Sequence, residues 1–167
     1  MIGRYGQIVK IVPLMAAVDI TTTATNSNAV DLARCHRATF IVPFGNVTAT
    51  STDQNVVVTV LASSVVTSGT GTAIAFNYRL SGAVGTDSWG ATTAATSTGF
   101  STTPALFLNS TLLIDVDPAI ARAAVTNLNG RYIRIVITPN AGATHTIVGV
   151  LAELEPRYAQ TSMESAS

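Results

Sequence analysis

The sequence has very little charge. Only 11% of its 167 residues are charged, against about 25% in an ordinary soluble domain. Nine acidic and nine basic side chains cancel, and Lys10 is the single lysine. Recognition of nucleic-acid phosphates requires clustered Lys and Arg, so the composition argues against a nucleic-acid-binding protein. Copies of such a chain repel one another weakly. We therefore expect a homo-oligomer or a hydroxyl-covered surface, and the abundant Ser and Thr favour the second directly.

Cysteine and long hydrophobic runs are also scarce. Cys35 is the only cysteine, so no internal disulfide can form. The chain is long enough to bury a core without one. No apolar run approaches the roughly 20 residues of a membrane-spanning helix, so we expect no membrane partner.

Signatures of catalysis and cofactor binding are missing as well. The sequence contains no G-x-S-x-G, H-E-x-x-H or C-x-x-C motif. The segment SGTGTA (68–73) lacks the Lys-Ser/Thr of a phosphate-binding loop and predicts a hairpin turn. Two histidines and one cysteine are too few for a structural zinc site. We expect no catalytic residue, no metal and no cofactor, and hence not an enzyme.

Two short segments nevertheless carry groups capable of chemistry. In LLIDVDP, Asp115 and Asp117 are two residues apart and could perform acid–base catalysis or hold a cation. The simpler interpretation is that both face water and that Asp117 caps a helix. In RCHR, Cys35 and His36 are strand neighbours with opposed side chains, which favours a buried thiol and a surface histidine over a dyad.

The apolar residues of the sequence recur with a period of two. Short apolar runs bounded by Gly, Asn, Asp and Pro predict strands near 7–18, 39–48, 55–66, 73–80, 111–116, 131–138 and 144–154. The alternation predicts that one face of each strand is buried. The residues expected in the core are Phe40, Val42, Val56, Val58, Ile133, Ile135 and Ile137.

One segment, DPAIARAAVTN, predicts a short helix near 118–126, with Asp117 as N-cap and Pro118 at its first position. The turn PNAGAT (139–144) predicts a hairpin between the last two long strands. Seven or more strands with one helix predict an all-β fold, either an antiparallel β-sandwich or a jelly-roll-like barrel.

We expect a single sandwich domain over 1–156. Its polar stretch 81–110 is predicted to be either a meander of edge strands or a long loop or hairpin excursion out of the sandwich. Loops of that length are usually functional or disordered. After the domain, the polar segment RYAQTSMESAS predicts a C-terminal arm over 157–167 that contacts a neighbouring copy.

The only tryptophan, Trp89, lies in NYRLSGAVGTDSWGA (77–91) among small and polar residues. Trp, Tyr and Arg are enriched at interface hot spots, which makes Trp89, Tyr78 and Arg79 candidate interface residues. The alternative is that Trp89 packs on its own sheet. Arg157 and Tyr158, at the start of the arm, complete the predicted interface.

Three stretches occur in an order that resembles a known group of proteins: TAIAFNYRLSGAVGTDSWGATTAAT, LLIDVDP and RYIRIVITPNAGATHTIVGVLAELEPRY. Together, over roughly residues 5–158, they resemble small virion structural proteins encoded among the head genes of tailed bacteriophages. The resemblance implies a virion structural protein. Our first choice within this class is a capsid decoration, or cement, protein, and a head–tail connector or tail component is the alternative. The resemblance also implies partners, namely a phage major capsid protein and other copies of the chain, and a location in the virion after assembly in the host cytoplasm.

Two hypotheses of other classes remain open. A sandwich with exposed Trp and Tyr could be a carbohydrate-binding module, and a pocket containing both Asp115 and Asp117 would indicate a hydrolase.

Overall fold

Strands dominate the computed structural model, which describes residues 9–21, 23–48, 55–67, 70–102, 108–126, 129–139 and 145–157. Twelve strands and one α-helix lie within these ranges. The strands are β1 (Lys10–Ile20), β2 (Thr25–Asn26), β3 (Val30–Asp31), β4 (Cys35–Thr48), β5 (Val56–Ser63), β6 (Thr72–Ile74), β7 (Phe76–Leu80), β8 (Thr93–Ala95), β9 (Phe100–Thr102), β10 (Thr111–Val116), β11 (Tyr132–Pro139) and β12 (His145–Pro156), and the helix is α1 (Pro118–Ala123).

The strands form two antiparallel sheets that pack face to face. The first sheet has the order β1-β12-β4-β10-β7-β8. The second has the order β2-β11-β5-β6, with β3 also paired to β11 and β9 to β5. The predicted all-β sandwich is therefore confirmed. The very short strands β2 and β3 had not been predicted, because two residues show no periodicity. β8 and β9 lie in the stretch 81–110, for which a meander of edge strands was one of the two alternatives.

The pairing of the strands is nested. β1 pairs with β12, β2 and β3 with β11, β4 with β10, and β5 with β6. The first strand thus pairs with the last, and each further pair lies between the members of the previous pair along the sequence. This nesting is the topology of a jelly roll, one of the two architectures that the sequence predicted.

The predicted hairpin between the last two long strands is wrong. β11 belongs to the second sheet and β12 to the first, so the chain crosses from one sheet to the other between them. Most of the predicted turn, residues 140–144, lies outside the described residues. Each strand has one fully apolar face, and placing the two strands in opposite sheets lets both faces enter the same core.

The predicted strand 73–80 is in fact two strands. β6 pairs with β5 in the second sheet, whereas β7 pairs with β10 in the first. Ile74 and Phe76 are both buried and Ala75 between them is exposed, so the chain turns a corner of the sandwich at Ala75. Ile74 and Phe76 continue the alternation that a single strand would show, so the hydrophobic pattern does not reveal the corner.

The core lies between the sheets, as the alternation predicted. Ile133, Ile135 and Ile137 of β11 have no exposed surface. The remaining predicted core residues are equally inaccessible or nearly so, namely Phe40, Val42, Val56 and Val58. The strand phase read from the sequence is therefore confirmed.

Helix α1 begins as predicted and ends earlier. The Asp117 side chain accepts a hydrogen bond of 2.7 Å from the amide of Ala119, and Pro118 follows it. The last helical residue is Ala123, three residues before the predicted end. Gly130, seven residues after the end of the helix, packs against it, and a Cβ atom there would overlap the carbonyl oxygen of Ala121. Glycine is required here for close approach of two backbones.

Arg134 is an exception to the pattern of β11. It lies on the outer face of the second sheet with Tyr132 and Val136, yet only 2% of its surface is exposed. The segment after β5 folds over it, and its guanidinium donates to the carbonyl oxygens of Val66 and Thr67 at 2.8 and 2.6 Å. Burial lowers the pKa of Arg134.

Candidate interaction surface

The connection between β7 and β8 continues their hairpin beyond the two strands. The amide of Gly90 donates to the carbonyl of Leu80 at 2.9 Å, and the amide of Gly82 donates to the carbonyl of Ser88 at 2.8 Å. These bonds are shifted by one residue from the register of β7 and β8, as at a β-bulge. The hairpin therefore reaches residues 82 and 88, and its tip is 83–87.

The tip of this hairpin is held by its own hydrogen bonds. The amide and the hydroxyl of Thr86 both donate to the carbonyl of Ala83, at 3.1 and 2.7 Å. The hydroxyls of Thr86 and Ser88 are 2.9 Å apart. Gly85 supplies the positive φ of 83° that the turn needs. The loop is thus shaped before any partner binds, which lowers the entropy cost of binding.

Trp89 is only partly covered by the described chain. Its exposed fraction is 42%, and that of Val84 at the tip is 76%. All of residues 82–94 are exposed. The side chains of Trp89 and Val84 are therefore accessible to a partner on a preformed loop.

The register places Trp89 and Arg79 on the same side of the first sheet. Trp89 lies opposite Ser81 in an antiparallel bridge, and directly opposed residues project to one face. Ser81 follows Arg79 by two residues, so it shares the face of Arg79. That face points away from the core and is called here the outer face of the first sheet.

Tyr78 points the other way. Its ring lies 4.7 Å from the ring of Phe100 and 6.4 Å from that of Phe76, both centroid to centroid, in tilted arrangements. Phe76 and Phe100 are buried. The structure thus separates Tyr78, which packs at the edge of the core, from Arg79 and Trp89 on the outer face.

Arg157 is bonded to the sandwich. Its amide donates to the carbonyl of Arg34, and its Nε donates to the carbonyl of Cys35, both at 3.0 Å. These bonds fix the point at which the chain leaves β12. Tyr158 and the rest of the predicted arm lie outside the described residues.

The outer face of the first sheet carries an apolar row that crosses four strands. The strand register aligns Pro13 of β1, Leu151 of β12, Ile41 of β4 and Leu113 of β10, and the row ends at Arg79 of β7. Ile41, Leu113 and Leu151 are half-buried by their neighbours alone. This row had not been predicted. Its signal was present, because β4, β10 and β12 carry apolar residues at successive positions, whereas a water-facing sheet usually alternates.

The next row along the strands is polar. It contains Glu153 of β12, Thr39 of β4 and Asp115 of β10. Asp115 accepts hydrogen bonds from the guanidinium of Arg37 at 2.7 Å and from the hydroxyl of Thr39 at 2.8 Å. The bond to Asp115 raises the pKa of Arg37. Apolar side chains are thus bordered by charged ones, the usual composition of a protein interface.

The structure does not bring Asp115 and Asp117 together as a catalytic pair. Asp115 is bonded to Arg37 and Thr39 on the outer face, and Asp117 caps α1. Each carboxylate therefore has a structural partner of its own.

Cys35 and His36 are placed as predicted, the thiol buried and the histidine exposed. Burial raises the pKa of the Cys35 thiol to about 11, so it is a poor nucleophile at neutral pH. The nearby carboxylate of Asp31 adds to this shift.

The Asp31 carboxylate accepts three hydrogen bonds within the fold. Nε and Nη2 of Arg131 donate to its two oxygens at 2.8 and 2.6 Å, and the amide of Ala33 donates at 2.9 Å. The bond from Arg131 is the main reason why the pKa of Asp31 is lowered. The pair joins the ends of β3 and β11, so its role is structural.

Two open clefts lie on the described part of the chain. The larger, about 420 Å³, lies beside Ser64, Arg122 and Arg131, and the smaller, about 210 Å³, lies on the outer face beside Arg79 and Glu153. Over the ranges that the structure describes, no three His, Cys, Asp or Glu side chains are grouped as metal ligands. In the same ranges no helix is long and apolar enough to cross a membrane.

The fold and this surface define an all-β sandwich protein with a preformed, exposed aromatic hairpin. Comparison with protein-family models, curated proteins and solved structures found no match.

Proposed function

We propose that the chain is a structural protein of a bacteriophage virion, and specifically a capsid decoration protein that binds the head lattice in many copies. The observation that carries the proposal is the hairpin with Trp89, which the chain itself leaves exposed. A tryptophan at the centre of an interface is a typical hot spot. The resemblance of the sequence to head-region proteins indicates the phage capsid as the partner.

Three further features support an assembly role. The jelly roll provides a rigid scaffold, an architecture that occurs in viral capsid domains as well as in lectins and cupins. Fold alone does not imply function, so this support is general. The low charge of the chain allows copies to pack closely. The polar groups that could do chemistry, Asp115 and Asp117, are each bonded within the fold.

The direct test is incubation of the protein with purified phage heads followed by sedimentation. A decoration protein cosediments in a copy number that matches the capsid lattice. A connector or tail component would instead bind in a few copies at one vertex. Failure to bind heads, tails or connectors would overturn the proposal.

A variant makes this test specific to the hairpin. Trp89→Ala should lower head binding by at least about thirtyfold, the equivalent of a hot spot of ~2 kcal/mol. The matched control is Val65→Ala, because Val65 is 50% exposed and lies outside the hairpin. Val65→Ala should bind normally. Equal binding by both variants would exclude the hairpin from the interface.

Tryptophan fluorescence gives a second readout, because Trp89 is the only tryptophan of the chain. Its emission should shift to the blue when the protein joins the particle. An emission maximum that stays unchanged on binding would show that the ring does not enter the interface.

A carbohydrate-binding module is the second candidate, favoured by the same exposed ring. Sugar rings stack on such tryptophans, and binding would change the emission of Trp89 without any phage particle. A screen against a glycan array separates the two candidates, since the decoration protein should bind no glycan.

A further inference from the structure

We propose that two copies of the chain associate through the outer face of the first sheet, related by a two-fold axis that runs parallel to the strands between β4 and β10. This inference deepens the proposed function, because it names the surface through which copies of the chain meet. The dimer can be observed with the isolated protein, so its test does not depend on the phage particle.

The apolar row supplies the centre of the interface. β4 and β10 are the two middle strands of the first sheet, and they carry Ile41 and Leu113 directly opposite each other. The proposed axis passes between them. It therefore places Ile41 of one copy over Leu113 of the second copy, and the reverse contact forms at the same time. Burial of such half-exposed aliphatic side chains is the main favourable contribution to an association.

The flanks of the face carry charges of opposite sign. On one flank, β12 presents Glu153 and Glu155, and on the other β7 presents Arg79. The ion pairs found among the described residues involve Asp31 and Asp115 and none of these three side chains. Arg37 interacts electrostatically with both glutamates, but it is hydrogen-bonded to Asp115, so the side of the face at β12 keeps a net negative charge.

The arrangement of these charges is self-complementary. A two-fold axis between β4 and β10 lays β12 of one copy over β7 of the second. Arg79 of the second copy then lies over Leu151, one side-chain step from Glu153, a separation of about 7 Å along the strand. A guanidinium on a long flexible stem spans that distance. Both copies make the same contact, as an isologous interface requires.

The middle of the face carries one ion pair, that of Arg37 with Asp115. Asp115 is already neutralised by Arg37 at 2.7 Å, so the centre of the interface does not bury an unpaired charge. Two sheets that pack face to face keep their strands within about 30° of each other, which this axis allows. Trp89, which shares the outer face, lies beyond β7 at the rim.

Charge-reversal variants test the geometry. Sedimentation velocity over a range of concentrations should show a reversible dimer of the native chain. Arg79→Glu places two carboxylates together across the interface, and Glu153→Arg places two guanidinium groups together. Each should weaken dimerisation by about tenfold or more, because facing like charges are costly. An equimolar mixture of the two variants should dimerise like the native chain, since both contacts then join opposite charges.

Two further variants separate a local effect from a general one. Leu113→Arg introduces a charge at the apolar centre and should abolish the dimer. Arg122→Glu reverses an exposed charge on α1, away from the face, and should leave dimerisation unchanged. The thermal transition of every variant is measured alongside, so that loss of the dimer is compared only among folded proteins.

Several outcomes would overturn the inference. One is a native chain that stays monomeric at all concentrations, and another is a dimer that the face variants do not weaken. A mixture of the two charge variants that fails to dimerise would exclude the proposed axis. A chain that dimerises only after removal of residues 1–8 would show that its own N-terminal segment covers the face.

The outcomes also distinguish this inference from the proposed function. A dimer that obeys the charge-reversal pattern but does not bind phage particles would support the surface and refute the virion role. Binding to heads by a chain that never dimerises would do the opposite.

Discussion

Replacing Ile135 with alanine probes the centre of the core. Ile135 has no exposed surface and lies in β11 opposite Val60 of β5, which is equally inaccessible. The substitution removes three carbon atoms, and at ~0.8 kcal/mol for each buried methylene the transfer contribution alone is ~2.4 kcal/mol. The cavity that remains adds to this, and isoleucine-to-alanine changes in cores cost about 2–5 kcal/mol in total.

The backbone around Ile135 decides where in that range the result falls. Its amide donates to the hydroxyl of Ser27 at 3.0 Å, and its carbonyl accepts from the amide of Ser27 at 2.9 Å. On its other side the strand is paired with β5. Because the backbone is held from both sides, it cannot move to fill the cavity. We therefore expect a loss in the upper half of the range, about 3–5 kcal/mol.

Urea unfolding measures this loss. The midpoint should fall while the slope of the unfolding free energy with urea stays constant, since the same surface is exposed on unfolding. Val136→Ala is the matched control, because Val136 is the next residue of β11 and lies half-buried on the outer face. It should cost about 1 kcal/mol or less. Equal losses for the two variants would refute the assignment of the core face.

Three other predictions concern polar groups and the thiol. Asp117→Ala should lower the unfolding free energy by about 0.5–2 kcal/mol and Asp117→Asn by much less, because Asn also caps the amide of Ala119; urea unfolding of both variants checks this. The pKa of Asp31 is lowered in the folded state, so the stability from its pair with Arg131 is complete above the unfolded pKa of about 3.9 and is lost as the pH falls through the folded value. Asp31→Asn should therefore flatten the acid side of a stability–pH curve, and an unchanged curve would contradict the assignment. Cys35, buried with a pKa of about 11, should react with iodoacetamide only in denaturant at neutral pH, and fast labelling of the native chain would refute its burial.

The sequence predicted the inner faces of the strands well and the connections between them poorly. In β11 the alternation of Ile133, Ile135 and Ile137 with more polar residues determines which face is buried, whatever strand lies beside it. The choice of neighbour is a property of the whole sandwich. Residues 139–144 satisfied the local requirements of a hairpin turn, yet the strands on either side of them belong to different sheets. Local turn chemistry permits a reversal of direction and does not specify the sheet that follows.

The outer face shows a second limit of the pattern. Leu113 follows Leu112 and precedes Ile114, so β10 reads as a continuous apolar run and not as an alternation. Such a run predicts a strand but does not say that one of its faces remains open. The register supplies the missing information, because it aligns Leu113 with Ile41 and Arg79 and so places half-buried residues of neighbouring strands in one row.

Scarcity of charge, the first feature of the sequence, has a specific consequence in the folded chain. Arg134 and Arg157 bind backbone carbonyls, Arg131 binds Asp31, and Arg37 binds Asp115. Much of the small set of charges is therefore used to join segments of the sandwich. The charges at the flanks of the outer face are few, so in the proposed dimer each would have a large influence on how the second copy is oriented. A surface with many charges could be matched in several orientations, whereas one arginine and two glutamates on opposite flanks of an apolar row favour a single alignment. In the proposed dimer a low charge is thus compatible with specificity, because the two-fold axis exchanges the positions of the remaining charges.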